Sequence, residues 1–422
     1  MIDLRELKER RDEIAANIKN RGMQVDIDKV IELQEERSQL LKKVDELRSR
    51  RNENAAKMKG KLEAEVRTQL IEEGKSLKEE ISQVEAVLKE VEENYLSLAK
   101  TIPNYAYHGI PIGVGEADNR EIKKFGEPST FSFTPHDHIK LGEDLDLIDF
   151  DTATKVTGPK FYYLKNEAVY LALALERYAL DILKKHGFTP VLTPDLAKEE
   201  ILEGIGFNPR GEESNIYSIA DTDLCLVGTA EITLGGYHAN TILERGELPI
   251  KFGGISHCFR REAGSAGQFS RGLYRVHQFS KVEMFVYTFP EKSEEVHEQL
   301  LAIEEEMYQG LDLPYRVVDT CSGDLGAPAF RKYDIEVWMP SRGDYGEVTS
   351  TSNCTDYQAR RLNIRYRDED GTIRHPHLLN GTAIAVSRTI LAIMENNQRE
   401  DGSIAMPAVL VPYLGFSEIR GK

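Results

Sequence analysis

The chain has 422 residues, 40% hydrophobic and 30% charged, a globular composition with room for one large domain and a smaller module. No run of eighteen apolar residues occurs, so no membrane-spanning helix is expected, and the opening MIDLRELKERR lacks the apolar stretch of a signal peptide. A net charge of -17 argues against a general nucleic-acid binder, although a single nucleic-acid partner needs only a local basic surface. The expected compartment is the cytoplasm. There Cys225, Cys258, Cys321 and Cys354 stay reduced; none forms a CxxC pair or sits at zinc-finger spacing from a histidine, so no zinc is expected.

The first third of the chain reads as an antiparallel helical hairpin. Asp3 and Glu6 have the spacing of a capping box, and Leu4, Leu7, Ile14 and Ile18 mark a short amphipathic helix closed near Gly22. A second helix from about Ile27 has the seam Leu33, Arg37, Leu40, Val44, Leu47, Arg51, Asn54, Met58. A third has Leu70, Gly74, Leu77, Ile81, Val84, Leu88, Val91, Tyr95, Leu98, Ile102, and Pro103 stops it. Steps alternating four and three follow the heptad rule, and a turn near Gly60 folds the helices back on each other. Each is about 35 residues, which gives an arm of roughly 50 Å. Residues 42–61 carry eight basic side chains against three acidic ones, whereas 62–100 carry five basic and ten acidic. These charges either pair across the hairpin or present a basic face to a phosphate backbone. On the arm alone the first account is the simpler, and a structural coiled coil would look the same.

Residues 104–135 lack a period and are rich in Gly and Pro, which reads as a linker; 136–422 read as one α+β domain without internal repeats. Three constellations stand out in it. Residues 167–185 form a strong helix with Lys184, Lys185 and His186 at its end, followed by Gly187 and a strand that stops at Pro194. Residues 252–287 read strand, Gly/Ser-rich loop, strand. Arg260 and Glu262 would share a face of the first strand, and His277, Phe279, Lys281, Glu283 and Phe285 a face of the second. That face is either solvated or a concave surface on which an arginine clamps phosphate, a phenylalanine stacks a base and carboxylates take up amines. Finally, an apolar strand runs through Gly381 into a helix with Val386, Ile390, Ile393 and Asn397 on its inner side. Arg388 lies in the first turns, where a cation opposes the helix dipole unless it meets an anion.

Helix–Gly–strand–Pro, then FRRE with a later Phe, then Gly and Arg seven apart at a strand–helix junction resemble motifs 1, 2 and 3 of class II aminoacyl-tRNA synthetases, in that order. The HIGH-like and KMSKS-like boxes of the class I enzymes are absent. VGTAEI (227–232), FRREAGSAGQFSRGLYRVHQFSKVEMF (259–285), GEVTSTSNCTDYQARR (346–361) and LLNGTAIAVSRT (378–389) resemble the seryl-tRNA synthetase family, and the hairpin resembles that family's tRNA-binding arm. A paralogue turned binding module would have lost phosphate, metal or serine groups, and none is missing. The resemblance implies an α+β fold: an antiparallel coiled-coil arm over 1–103, a linker over 104–135, and over 136–422 a catalytic domain built on an antiparallel β-sheet flanked by helices. Motif 1, at 168–194, is the implied homodimer interface.

The same resemblance implies an ATP-dependent ligase that activates L-serine and charges tRNA(Ser), and tRNA(Sec) where one exists. Its implied catalytic groups are Arg260, Glu347 and Arg388. Arg260 is expected on the ATP α-phosphate, Glu262 on the adenine amino group, and Phe279 under adenine, with Arg388 on its other face or on the γ-phosphate. Arg261, Val276, Val348 and Thr349 complete the implied ATP site. Glu347 and Ser350 are expected to hold Mg²⁺, and Thr229, Ala230, Glu231, Glu283 and Thr382 to form the serine pocket. Thr229 and Glu231, read as two apart on a strand, would face one ligand together. Arg271 is expected at the tRNA acceptor end, and Lys42, Lys43, Arg50 and Arg51 on the tRNA body.

Overall fold

The computed structural model describes residues 1–60, 62–207, 215–262 and 272–421. It forms two compact units, Met1–Pro103 and Asn104–Lys422. In the first, α1 (Arg11–Asn20), α2 (Ile27–Lys57) and α3 (Ala64–Ala99) follow one another. The helix expected from Leu4 is divided, with Leu4–Glu6 a 3₁₀ turn and α1 beginning only at Arg11. The Asp3 carboxylate is taken up by the Arg5 amide at 3.0 Å and by the Arg5 guanidinium, so it does not cap an α-helix. Asp26 does cap α2, accepting from the Lys29 amide at 2.9 Å.

The hairpin closes on Leu33, Val44 and Leu47 of α2 and Leu77, Ile81, Val84, Val91 and Tyr95 of α3, all buried. Its polar seam positions find different solutions. Arg37 reaches Glu92 at 2.7 Å. Buried Asn54 donates to Glu73 at 2.8 Å, beside Gly74, where a Cβ would stand 3.4 Å from the Asn54 Oδ1. Arg51 turns out of the seam and is exposed. A buried leucine contributes about 1.5–3 kcal/mol and an exposed ion pair at most about 1, so the apolar seam holds the hairpin.

In the second unit the strands of the main sheet are β1 (Arg120–Phe125), β2 (Thr189–Leu192), β3 (Ile250–Phe259), β4 (Gln278–Thr288), β5 (Tyr315–Asp319), β6 (Arg331–Met339), β7 (Asp344–Asn353) and β8 (His377–Ala385). They make an eight-stranded sheet in the order β1-β5-β6-β7-β8-β4-β3-β2, antiparallel except for the parallel pair β2·β3. Among the unit's helices are α4 (Glu167–Lys185), α5 (Glu199–Ile205), α6 (Ala230–Gly236), α7 (Ser293–Gly310), α8 (Tyr357–Arg361) and α9 (Val386–Asn396). Gly187, at φ +79°, turns the chain from α4 into β2. Segment 104–135, expected as a linker, carries edge strand β1, and Asn104 ties it to the domain by donating to the carbonyls of Pro328 and Cys354 at 2.8 and 2.9 Å.

Two cores sandwich the sheet. On one face Val282, Met284 and Val286 of β4 pack with Leu171, Leu175 and Tyr178 of α4, Leu300 and Met307 of α7, and Ile390 and Ile393 of α9. Asn397 follows α9 as its C-cap and is only partly buried. On the other face Phe285 and Tyr287 pack with Leu202 and Ile205 of α5 and Ile232 and Leu234 of α6. Beyond that cover, the second face is polar.

Candidate active site

The polar stretch of the sheet is a cleft of about 860 Å³, its open mouth included. Its floor depends on two β-bulges. On β7, Ser350 pairs with Asp334 and Glu347 with Glu336, which leaves Val348 as the extra residue. Three residues apart, Glu347 and Ser350 would face opposite sides of a regular strand; the bulge turns both to the cleft. On β8, Thr382 pairs with Glu283 and Ile384 with Val282, leaving Ala383 as the extra residue. Thr382 and Ala385 therefore both line the cleft, opposite Glu283 and Lys281.

One end of the cleft is a closed polar knot. Lys281 and Glu283, 7% and 2% exposed, form an ion pair. Lys281 Nζ also donates to Thr382 Oγ1 at 3.2 Å, and Thr229 Oγ1 to Glu283 at 3.3 Å. A buried ion pair contributes little net stability, so folding alone is a weak account of this knot. Beside it Glu231 Oε1 accepts from Gln358 and from Asn380, each at 2.8 Å. Desolvation in the cleft wall, together with the charge of Glu283, pushes the Glu231 carboxyl up to about 7, against the pull of Gln358, Lys281 and Arg260.

The other end is cationic. Arg260 Nε donates to the Gly228 carbonyl at 3.2 Å, and its guanidinium lies 5.2 Å from the Phe279 ring centre. Arg388 Nη1 donates to the Glu347 carbonyl at 2.9 Å and lies 3.4 Å from the Glu347 carboxylate. The Arg388 guanidinium also lies 4.6 Å from the Tyr274 ring centre, and that of Arg342 4.8 Å from it. For Glu347, desolvation works to raise the pKa, but Arg388, Lys332 and Arg260 outweigh it and hold the carboxylate below its usual range.

Thr229, Glu231, Arg260, Glu262, Val276, Phe279, Glu283, Glu347, Val348, Thr349, Ser350, Thr382 and Arg388 thus line one cavity. Several sit differently from the sequence expectation. β3 ends at Phe259, so Arg260 and Glu262 lie in the following loop, Glu262 with φ +48°. Thr229 and Glu231 are not on a strand; Thr229 is the N-cap of α6, and Glu231 stands in its first turn. Of the expected face of β4, His277 precedes the strand and Phe285 passes under α6, close to Gly235. Ala230 is buried towards Gly254, and Arg261 is exposed; neither lines the cavity. Arg271 lies outside the described residues. Tyr274, Arg275, Ser352 and Asn380 line the cleft without having been singled out; Asn380, two before Thr382 on one strand, could have been found by alternation.

Residues 1–106 match the family model of the seryl-tRNA synthetase N-terminal domain, and residues 217–397 that of the class II tRNA synthetase core domain (G, H, P, S and T). The serine–tRNA ligase of Treponema denticola is 58% identical over 421 residues, 99% of this chain and 100% of the relative. The chain belongs to the seryl-tRNA synthetase family. The serine–tRNA ligase of Dictyoglomus turgidum is 54% identical, with both chains covered in full. Among solved structures, the seryl-tRNA synthetase of Pyrococcus horikoshii complexed with ATP matches with a TM-score of 0.92 at 40% identity, with 100% of each chain covered. The cytoplasmic serine–tRNA ligase of Naegleria fowleri in complex with AMP matches with a TM-score of 0.83 at 32% identity, covering 97% of this chain and 95% of that one.

The family's N-terminal module shows here which basic residues are already engaged. Lys43 lies 3.8 Å from Glu80, and Arg48 2.8 Å from Glu85, both across the hairpin. Among the described residues Lys42, Arg50 and Arg51 form no ion pair, and all three are exposed.

Proposed function

We propose that this member of the seryl-tRNA synthetase family activates L-serine with ATP in the cleft and transfers the seryl group to the 3′-terminal adenosine of tRNA(Ser), and of tRNA(Sec) where one exists. One observation carries the reading: Arg260, Glu347 and Arg388, far apart in the chain, line a single cavity with Thr229, Glu231 and Glu283. Arg260 takes the ATP α-phosphate, Phe279 stacks under adenine, and Glu262 accepts from its amino group. Arg388 covers the other face of the base or meets the γ-phosphate, while Val276, Val348 and Thr349 complete the walls. The exposed side chain of Arg261, outside the cavity, lends no support to a direct ATP contact.

The donor set fits a hard divalent cation. Glu347 is held ionised by its cationic neighbours, and the Ser350 hydroxyl shares its side of the cleft. Mg²⁺ held there would supply neutralisation of phosphate charge. The serine carboxylate, already ionised at neutral pH, attacks the α-phosphorus; the new O–P bond forms as the α–β bridging bond breaks, and pyrophosphate leaves. No side chain has to move a proton, so Arg260 and Arg388 act by positioning and by offsetting charge. The terminal hydroxyl of the tRNA then attacks the adenylate carbonyl; the new ester C–O bond forms as the acyl–phosphate C–O bond breaks, AMP leaves, and the hydroxyl proton passes to the departing phosphate or to water.

Glu231, Glu283, Thr229 and Thr382 read the serine ammonium and hydroxyl. Alanine and glycine, which lack the hydroxyl, would leave buried polar groups unpaired, a strong basis for rejection; threonine is refused by size. Lys42, Arg50 and Arg51 suit a phosphate backbone, and Arg271 is kept as an acceptor-end contact by resemblance alone. The apolar surface of α4 and β2 suits a homodimer, and the compartment is the cytoplasm. Amino-acid-dependent pyrophosphate exchange tests the reading: serine supports exchange, while alanine, threonine and glycine do not. Arg260→Ala loses most of it while circular dichroism stays native. Exchange supported equally by alanine, or unaltered in Arg260→Ala, would falsify the assignment.

A further inference from the structure

Gln358 on α8 lies outside the cleft and is fully buried. Its Nε2 donates to the Ile205 carbonyl at 3.1 Å and to Glu231 Oε1 at 2.8 Å, which uses both amide hydrogens. Its own carbonyl oxygen is buried with no hydrogen-bond partner among the described residues. Flipping the amide would turn that oxygen against two acceptors, so the observed orientation is fixed. One amide hydrogen serves the fold by satisfying the Ile205 carbonyl at the end of α5, and the orphaned oxygen is the cost of holding both acceptors. What the other hydrogen accomplishes is visible at Glu231. Oε1 is held by two amide donors, Gln358 from behind and Asn380 from β8. Among the described residues no hydrogen bond or ion pair engages Oε2.

We propose that Gln358 is a positioning residue for serine recognition, pinning one carboxylate oxygen of Glu231 so that the other is presented to the substrate. It never touches serine and acts only through Glu231. This rests on the reading above that Glu231 belongs to the serine pocket. Gln358→Met keeps the length and removes both donors; Gln358→Asn keeps the amide and withdraws its reach.

The test is pyrophosphate exchange by the full-length chain with serine and ATP varied separately, together with a thermal melt. KM does not depend on the fraction of a sample that is folded, so partial unfolding leaves it readable. Losing a hydrogen bond to a charged group is expected to raise the serine KM about tenfold in both variants, with the ATP KM changed less than about twofold. A purely structural role would lower the melting temperature and leave both KM values alone, and that result overturns the inference. Glu231→Gln runs alongside. If it leaves the serine KM unchanged, the placement of serine at Glu231 fails and the inference falls with it. If it raises the serine KM while both Gln358 variants do not, only the role of Gln358 fails.

Discussion

Two glutamates in one cleft show how neighbours set a carboxylate's behaviour. Glu347 stands among cations and stays ionised, whereas Glu231 faces Glu283 in a desolvated wall and titrates at about 7. An ordinary glutamate titrates at 4.5. Between those two values the folded chain keeps a proton on Glu231 that the unfolded chain has released. Stability therefore falls as pH rises through this window and levels off above it. Asp334, also pushed up to about 7 by burial, adds a slope of the same sign. His297 and His377, pushed down to about 4 by burial, slope the other way below about pH 6.5, so the readout is the difference: the melting temperature of Glu231→Gln relative to the unaltered chain should rise between about pH 5 and 7.5. Parallel curves for the two proteins would show that the wall does not desolvate Glu231. The types of the cleft residues were legible as letters, since charged groups alternating with phenylalanine on one strand have few uses. Their geometry was less so. Thr229 and Glu231 read as a strand pair because spacing of two fits a strand, yet the threonine hydroxyl accepts from the Glu231 amide at 3.2 Å and starts a helix. Gln358 was invisible, because its effect lies wholly in a contact 127 residues away along the chain.

Elements were easier to read than their register. The heptad seams gave α2 and α3, and helix–Gly–strand gave α4 and β2, because apolar periodicity is a local property of the chain. The bulges at Val348 and Ala383 were not legible, since a bulge exists only relative to the partner strand. β1 was missed for a related reason. REIKKF is charged and exposed, as suits a sheet edge, so it shows no alternation of apolar residues. The arm is the element whose role is most separable from the cleft. It closes on its own apolar seam as a unit distinct from 104–422, and its outgoing helix carries basic residues outside the cross-hairpin ion pairs. Deleting about 30–100 should leave serine-dependent pyrophosphate exchange within about threefold of the full chain and lower tRNA charging by at least about a hundredfold, the scale expected when several phosphate contacts are lost. Charging by the truncated protein at the full-length rate would make the arm merely structural.

At the scale of the whole molecule, the outer surface of motif 1 asks for a partner. One side of α4 is sunk in the core through Leu171, Leu175, Tyr178 and Ile182. The other side leaves Tyr170 62% and Leu173 59% exposed, and Leu192 at the end of β2 is 82% exposed. Single exposed apolar residues are ordinary on a protein surface. Here they recur along one helix and the strand that follows it, and β2 ends the sheet with its outer edge unpaired among the described residues. An apolar, edge-bearing surface of this kind is a hazard unless it is covered, and a second copy meeting it about a twofold axis covers both at once. Replacing Leu173 and Leu192 together by aspartate would place two charges on each side of that contact without touching the core. The expected outcome, by sedimentation equilibrium, is a shift from the mass of two chains to the 47.8 kDa of one. If the double variant keeps the dimer mass, the contact lies elsewhere; if the unaltered chain already sediments as a monomer, the surface of α4 and β2 is not a homodimer contact.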